Sequence, residues 1–200
     1  DALLNYLLRL GWGYKDKEFF SLQEAISLFN LNGVGKSPAK FDEKKLTHLN
    51  SYYFKKLTLV KLKKEIGNHY NIKNISNAYL NKLSVTFQER SESLKDFTEN
   101  IEYMFKDDVV ISEQARNIIM STDKDLIRTI SKHLSNTNKW EEDAIEKNIK
   151  KIAQERKLKL FNIASPIRAL VTGKAHSPSI FKILDLLGKE KSLKRIKKSF

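Results

Sequence analysis

The 200-residue sequence contains no cysteine. That excludes disulfides and thiol chemistry, and it removes the usual ligands of a structural zinc site. Only three prolines and seven glycines occur, so breakers are scarce and helices should run long. No stretch approaches the roughly 18 apolar residues of a membrane helix, and no signal-peptide pattern is visible. Neither a fixed-period repeat nor a low-complexity tract is present. Acidic residues are also short: 24 Asp+Glu against 37 Lys+Arg leave a formal charge of +13. Such an excess speaks of partners rather than fold and favours nucleic acid or another anionic surface. The alternative is a set of lysines that merely solvate helix faces. The chain starts with Asp1 and enters at once on an apolar helical pattern, "DALLNYLLRLGW", which reads as a piece cut from a longer polypeptide.

What the sequence does have is helical periodicity. Leu3, Leu4, Leu7, Leu8 and Leu10 fit one helical face that Gly11 ends. Ser21 to Glu24 has the spacing of a capping box ahead of Ala25, Ile26 and Phe29. "NLNGVGKSPAKF" reads as a loop, and Asp42 as the cap of a helix carrying Leu46, Leu49 and Phe54. Further stripes comprise Val60, Leu62 and Ile66, then Ala78, Leu80, Leu83 and Phe87, then Leu94, Phe97, Ile101 and Met104 behind Ser93. Ser112 and Asp123 read as caps, and Trp140 as the opening of a longer helix. Pro166 should start a short helix that Gly173 stops. Ser177-Pro178 should supply a cap and a first-turn proline to a helix ending at Gly188. No run longer than about five residues alternates with period two. The pattern predicts an all-α fold of roughly ten helices with no substantial sheet.

Catalytic constellations are missing. "NGVGKS", Asn32 to Ser37, resembles a phosphate loop, but the glycine needed five residues before Gly35-Lys36 is Asn30, and Pro38 interrupts the helix that should follow. A turn is the better reading. His48, His69, His133 and His176 have no metal-site spacing. Glu141/Glu142 and Asp107/Asp108 lie in charged runs that read as solvated faces. Asn74-Ile75-Ser76 matches a glycosylation acceptor that an intracellular protein would not use. We therefore read the chain as a binder, with no catalytic residue, no metal and no cofactor of its own.

The cations are more informative. Lys55, Lys56, Lys61, Lys63 and Lys64 cluster, as do Lys147, Lys150, Lys151, Arg156, Lys157 and Lys159. The C-terminus adds Lys189, Lys191, Lys194, Arg195, Lys197 and Lys198. On helices these become positive stripes suited to phosphates. Arg90 and Arg168 stand near element ends, where a guanidinium can fork onto a base edge; an interhelical salt bridge is the alternative for each.

Four segments carry a resemblance. "ALLNYLLRLGWGYKD", "GKSPAKFDEKKLTHLNSYYF", "ERSESLKDFTENIEYMF" and "ASPIRALVTGKAHSPSIFKILDLLGKEKSLKRI" together resemble, in order and spacing, the C-terminal part of bacterial glutamyl-tRNA synthetases, from Ala2 to near Ile196. The resemblance implies a helical remnant of a stem-contact fold over residues 1–57. Two helical subdomains, 58–122 and 123–200, would then form an anticodon-binding α-helix cage. It implies a class I enzyme that joins glutamate to tRNA(Glu) through an adenylate made with ATP and Mg2+. The HIGH-type and KMSKS-type motifs of that chemistry are not in this sequence, so the piece should bind tRNA and catalyse nothing. Carried over residue by residue, Arg90 and Arg168 are the expected anticodon contacts. Ser177, Pro178 and Ile180 belong to the pocket beside Arg168, and Lys150 is a further basic contact. The family commonly has Gln-Pro where Ser165-Pro166 stands here. A cytoplasmic monomer is implied, with no membrane. Two other readings remain: a non-enzymatic helical module for nucleic acid or protein, and the helical cage of a class I lysyl-tRNA synthetase. A glutaminyl-tRNA synthetase is disfavoured, because that family reads its anticodon with β-barrels.

Overall fold

The computed structural model describes residues 1–198; Ser199 and Phe200, the last two of the expected third part, lie outside the described residues. Among the described residues there are twelve α-helices, one 3-10 turn at Leu31–Gly33 and a single isolated antiparallel bridge, Trp12 with Val34. The chain forms two compact units. One comprises Asp1–Asn74 and Phe87–Asn100, the other Ile75–Thr86 and Ile101–Phe200. The chain passes between them three times, once at Asn74–Ile75 and then inside two helices, α5 (Asn77–Gln88) and α6 (Leu94–Phe105).

The first unit contains α1 (Ala2–Gly11), α2 (Leu22–Leu28), α3 (Glu43–Lys55) and α4 (Leu59–His69). Its opening helix corrects the sequence reading. Leu3, Leu4 and Leu7 are exposed, and the face turned inward holds Asn5 and Tyr6. Asn5 can be buried because both the nitrogen and the oxygen of its amide are hydrogen-bonded. Its Nδ2 donates to the Glu18 carbonyl at 2.8 Å, and its Oδ1 accepts from the Phe20 amide at 2.7 Å. The Tyr6 hydroxyl accepts from the Asp42 amide at 2.6 Å. A satisfied polar pair thus anchors α1, while period counting favours leucines irrespective of what they meet. The capping box at Ser21 and Glu24 and the Asp42 cap of α3 form as their spacing requires. The glycine-rich segment is a turn. Its Gly33 lies against Trp12, where any Cβ would stand 2.5 Å from the indole nitrogen, and that nitrogen donates to the Asn30 carbonyl at 3.0 Å.

The second unit contains most of α5, the end of α6, and α7 (Glu113–Ser121), α8 (Lys124–Ser135), α9 (Glu142–Glu155), α10 (Leu160–Thr172), α11 (Ile180–Leu187) and α12 (Lys189–Lys197). Its centre is α10, which packs on α7, α9, α11 and α12 and buries nine of its 13 residues. A helix covered on most sides reads as nearly continuous apolar sequence, as "IASPIRALV" does.

Two boundaries differ from the sequence reading here. Pro166 lies inside α10, which begins six residues earlier at Leu160. Proline forfeits only its own bond to the carbonyl four residues back, Asn162, and neighbouring helices hold the rest. Ser177 does not cap α11; the cap position is Ser179, because the Ser177 hydroxyl is engaged elsewhere. Trp140 stands just before α9 and donates to the Leu184 carbonyl at 2.8 Å. The basic segment after Gly188 is a helix, α12, with Ile196 in the core.

Gly173 ends α10 in the left-handed region, φ 72°, and its carbonyl accepts from the Ser112 amide at 2.9 Å. A Cβ there would stand 2.1 Å from the Val110 carbonyl oxygen. Gly173→Ala should therefore cost about 2 kcal/mol or more in a denaturant titration, through left-handed strain plus the clash. In the first unit, the Glu24 carboxylate accepts from the Lys17 ammonium at 2.6 Å and from the Ser21 amide, which pull its pKa from 4.5 to about 2. Its support of α2 is present above pH 4.5 and is lost as pH falls through about 2. Carboxyl NMR should find that midpoint, and Lys17→Met should return it toward the ordinary value.

Candidate nucleic-acid interface

Arg90 sits in the turn between α5 and α6, exposed and without a side-chain partner among the described residues. Its backbone is firmly mounted. The Gln88 amide nitrogen before it reaches the Phe54, Lys55 and Leu57 carbonyls at 2.9, 3.2 and 3.1 Å, closing the open end of α3. After it, Ser91 is buried and donates to the Phe87 carbonyl at 3.0 Å. Ser93 caps α6 by accepting from the Asp96 amide, and Asp96 accepts from the Glu92 amide in return. The result is a free guanidinium on a turn fixed at both ends.

Arg168, half-buried on α10, is brought together with Ser177: its Nε donates to Ser177 Oγ at 3.1 Å. Ser177 donates in turn to the Pro178 carbonyl at 2.9 Å. The intervening corner is held by Thr172, whose hydroxyl donates to the Arg168 carbonyl at 2.8 Å and accepts from the Lys174 amide at 3.0 Å. Pro178 is buried and Ile180 is only 2% exposed, so these two form floor rather than rim. A planar cation backed by a hydroxyl and an apolar floor suits an unstacked base: a face to stack on and donors for its edge. Arg90 belongs to the first unit; Arg168, Ser177, Pro178, Ile180 and Lys150 belong to the second.

The basic clusters divide in two. Lys150 is exposed on α9 and pairs with Glu146 at 2.6 Å. Such exposed pairs are weak and leave the cation available to phosphate. Lys55, Lys56, Lys61, Lys64, Lys147, Lys157 and Lys159 are exposed as well. The C-terminal group corrects the sequence reading. Arg195 is only 3% exposed and donates to the carbonyls of Tyr103 at 2.6 Å, Lys106 at 2.7 Å and Val171. Lys191 donates to the Met104 carbonyl, Lys189 to the Thr137 carbonyl, and Lys198 pairs with Asp108. Burial lowers the pKa of Lys191 and of Arg195. Arg195, Lys191 and Lys189 thus hold backbone carbonyls, while Lys194, Lys197 and Lys198 remain exposed. Buried carbonyls demand donors, and no count of charges reveals which lysine faces one.

Of the histidines, His133 alone has a charged neighbour, Glu155 at 3.4 Å. Among the described residues no group of three or more His, Cys, Asp or Glu could hold a metal ion. No described helix is long and apolar enough to cross a membrane.

The family model described as "Anticodon binding domain" matches residues 38–200. The chain belongs to the anticodon binding domain family. Over 98% of its length it is 36% identical to glutamate–tRNA ligase 1 of Rickettsia canadensis and 37% identical to glutamate–tRNA ligase 2 of Rickettsia prowazekii. It covers 44% and 43% of those proteins, so it spans less than half the length of these curated relatives. Its fold matches a glutamate–tRNA ligase from Elizabethkingia meningosepticum, crystallised with its amino acid, with a TM-score of 0.87 at 25% identity. That match covers 99% of this chain and 40% of the other. The all-α architecture expected from periodicity is thus the architecture of this region of glutamate–tRNA ligases.

Within this anticodon binding domain, sequence reading singled out the two arginines but not what mounts them. Gln88 carried no local signal, since the carbonyls it closes lie more than 30 residues away. Arg195 was visible only as one more cation. Arg195→Met should destabilise the protein by about 3 kcal/mol or more, because it strips several buried carbonyls of their donor. Lys194→Met, on the exposed face of the same helix, should change stability by less than about 0.5 kcal/mol. Paired chemical denaturation curves read both.

Proposed function

We propose that this chain is the anticodon-reading part of a glutamate–tRNA ligase and binds tRNA(Glu). Arg90 and Arg168 read bases of the anticodon loop. Ser177, Pro178 and Ile180 complete the pocket beside Arg168, and Lys150 holds a phosphate. The division at 57/58 and 122/123 belongs to the same proposal, as do a cytoplasmic location and a monomeric state. The complete enzyme would attach glutamate with ATP and Mg2+. The residues present here do not fit that chemistry: the glycine-rich turn is packed on Trp12, and the described carboxylates form no metal group. This chain's part is recognition.

The observation that carries the reading is the Arg168–Ser177 contact, a guanidinium oriented by a hydroxyl on a buried helix. Orientation matters because a base edge is read by donor geometry, whereas phosphate attraction needs only charge. Exposed lysines on α9 and the following turn supply that attraction.

The test is binding to a glutamate-tRNA transcript beside the same tRNA with an altered anticodon, across a salt series. Arg168→Ala should weaken the first by about 1–3 kcal/mol and the second little, with the fold intact. Equal losses for both tRNAs would refute base reading by Arg168. A preference that vanishes as salt rises would leave only electrostatic footing.

A further inference from the structure

A second surface of α10 has the makings of a base site. The end of α7, the start of α8 and the first turns of α10 enclose a groove of about 580 Å³. That falls within the roughly 300–1,000 Å³ of small-ligand pockets. Phe161 stands at its edge, 69% exposed although most of its helix is buried. The ring has no aromatic partner among the described residues. Asn162 beside it is exposed, and its carboxamide makes no hydrogen bond among the described residues. Pro166 lines the same groove, so the Asn162 carbonyl also lacks its ordinary helical donor. Arg156 also lines it and donates through one nitrogen to Asp125 at 2.8 Å and to Thr129. The one carboxylate in the lining, Asp123, is engaged as the cap of α8.

The approach to the groove carries a second, independent oddity. Lys157 adopts φ 52°, the left-handed region, at the end of α9. Its neighbour closes the turn, the Leu158 amide donating to the Ala153 carbonyl at 2.9 Å. Glycine takes this conformation freely and is the common residue at such helix ends. Here the turn keeps a long cation, with exposed Lys159 two residues on. Strain retained where glycine would relieve it points to a use for the side chain.

We infer that this groove receives an unstacked nucleobase of the bound RNA, with Phe161 as its stacking face, Asn162 at its hydrogen-bonding edge and Lys157 and Lys159 on the adjoining phosphate. The inference rests on the RNA-binding role proposed above and adds to it a site distinct from Arg168 and Ser177. The chemistry fits a base well. An exposed ring offers stacking without sequence preference. A free carboxamide offers one donor face and one acceptor, the pair that base edges present. Cations without an unengaged carboxylate suit the phosphate that accompanies any base.

The probe is an anticodon stem-loop of glutamate tRNA carrying a fluorescent adenine analogue at each loop position in turn. With the unmodified chain, one position should change fluorescence on binding. Phe161→Ala should abolish that change and weaken binding about tenfold, within the range for losing one stacked base. Phe161→Tyr should restore both, and Asn162→Ala should weaken binding of that stem-loop but not of one made abasic at the responding position. Circular dichroism should be unchanged, since both residues are exposed. If the chain prefers the glutamate anticodon but no loop position answers to Phe161, the groove is not a base site while the function above stands. If Phe161→Ala costs the same tenfold on any single-stranded RNA and the unmodified chain does not prefer the glutamate anticodon, the base site stands and anticodon reading falls. Failure of the unmodified chain to bind the stem-loop at all overturns both.

Discussion

The second unit depends on one guanidinium. Arg195 lies among the last carbonyls of α6 and of α10, which have no donor within their own helices and carry the negative end of each helix dipole. Burying a guanidinium is costly by itself, and burial does lower its affinity for the proton. The cost is offset because several donors find carbonyls at once, and because arginine stays charged at any pH the protein meets. What this secures is the end of α10. One residue beyond the Val171 carbonyl begins the Thr172–Gly173 corner, and that corner brings Ser177 back against Arg168. The proposed reading head thus inherits its geometry from a residue outside the pocket.

The helix that carries Arg168 has to serve two ends. It is the buried centre of its unit, so nearly every position must be apolar or internally satisfied. Two of the polar groups in its buried stretch have clear partners: Thr172 bonds its own helix, and Arg168 meets Ser177. This explains why "IASPIRALVTG" looks like core and like site at once. It also explains why a proline is tolerated in its middle. Four neighbouring helices hold a segment that would not stay helical alone.

Much of this was legible in the sequence. Caps at Ser21, Asp42, Ser93, Ser112 and Asp123 formed where local spacing put them, because a cap is satisfied within four residues. Of the apolar stripes, Leu62 and Ile66, then Leu80, Leu83 and Phe87, then Phe97, Ile101 and Met104 turned inward as counted. Failures share one cause. The exposed leucines of α1, the interior Pro166, Ser177 taken from its cap role and the buried Arg195 are each decided by a partner distant in sequence. Periodicity records which face is apolar, and it is silent about what that face meets. The lysines show the same limit, since a carbonyl acceptor and open water leave identical traces in composition.

The path of the chain has a consequence for its synthesis. Each unit is assembled from two separated stretches, exchanged at Asn74–Ile75 and then within α5 and α6. The first has all its residues once Asn100 is made. The second begins with Ile75 but needs Arg195, which joins α6 across 92 residues of sequence. At the usual ~5–20 residues per second of translation, α5 and the end of α6 would wait roughly 5–20 s for their last partner. During that interval Leu80, Leu83, Ile101 and Met104 have no finished core to enter. Until Arg195 arrives, apolar side chains that the finished form buries stay open to water.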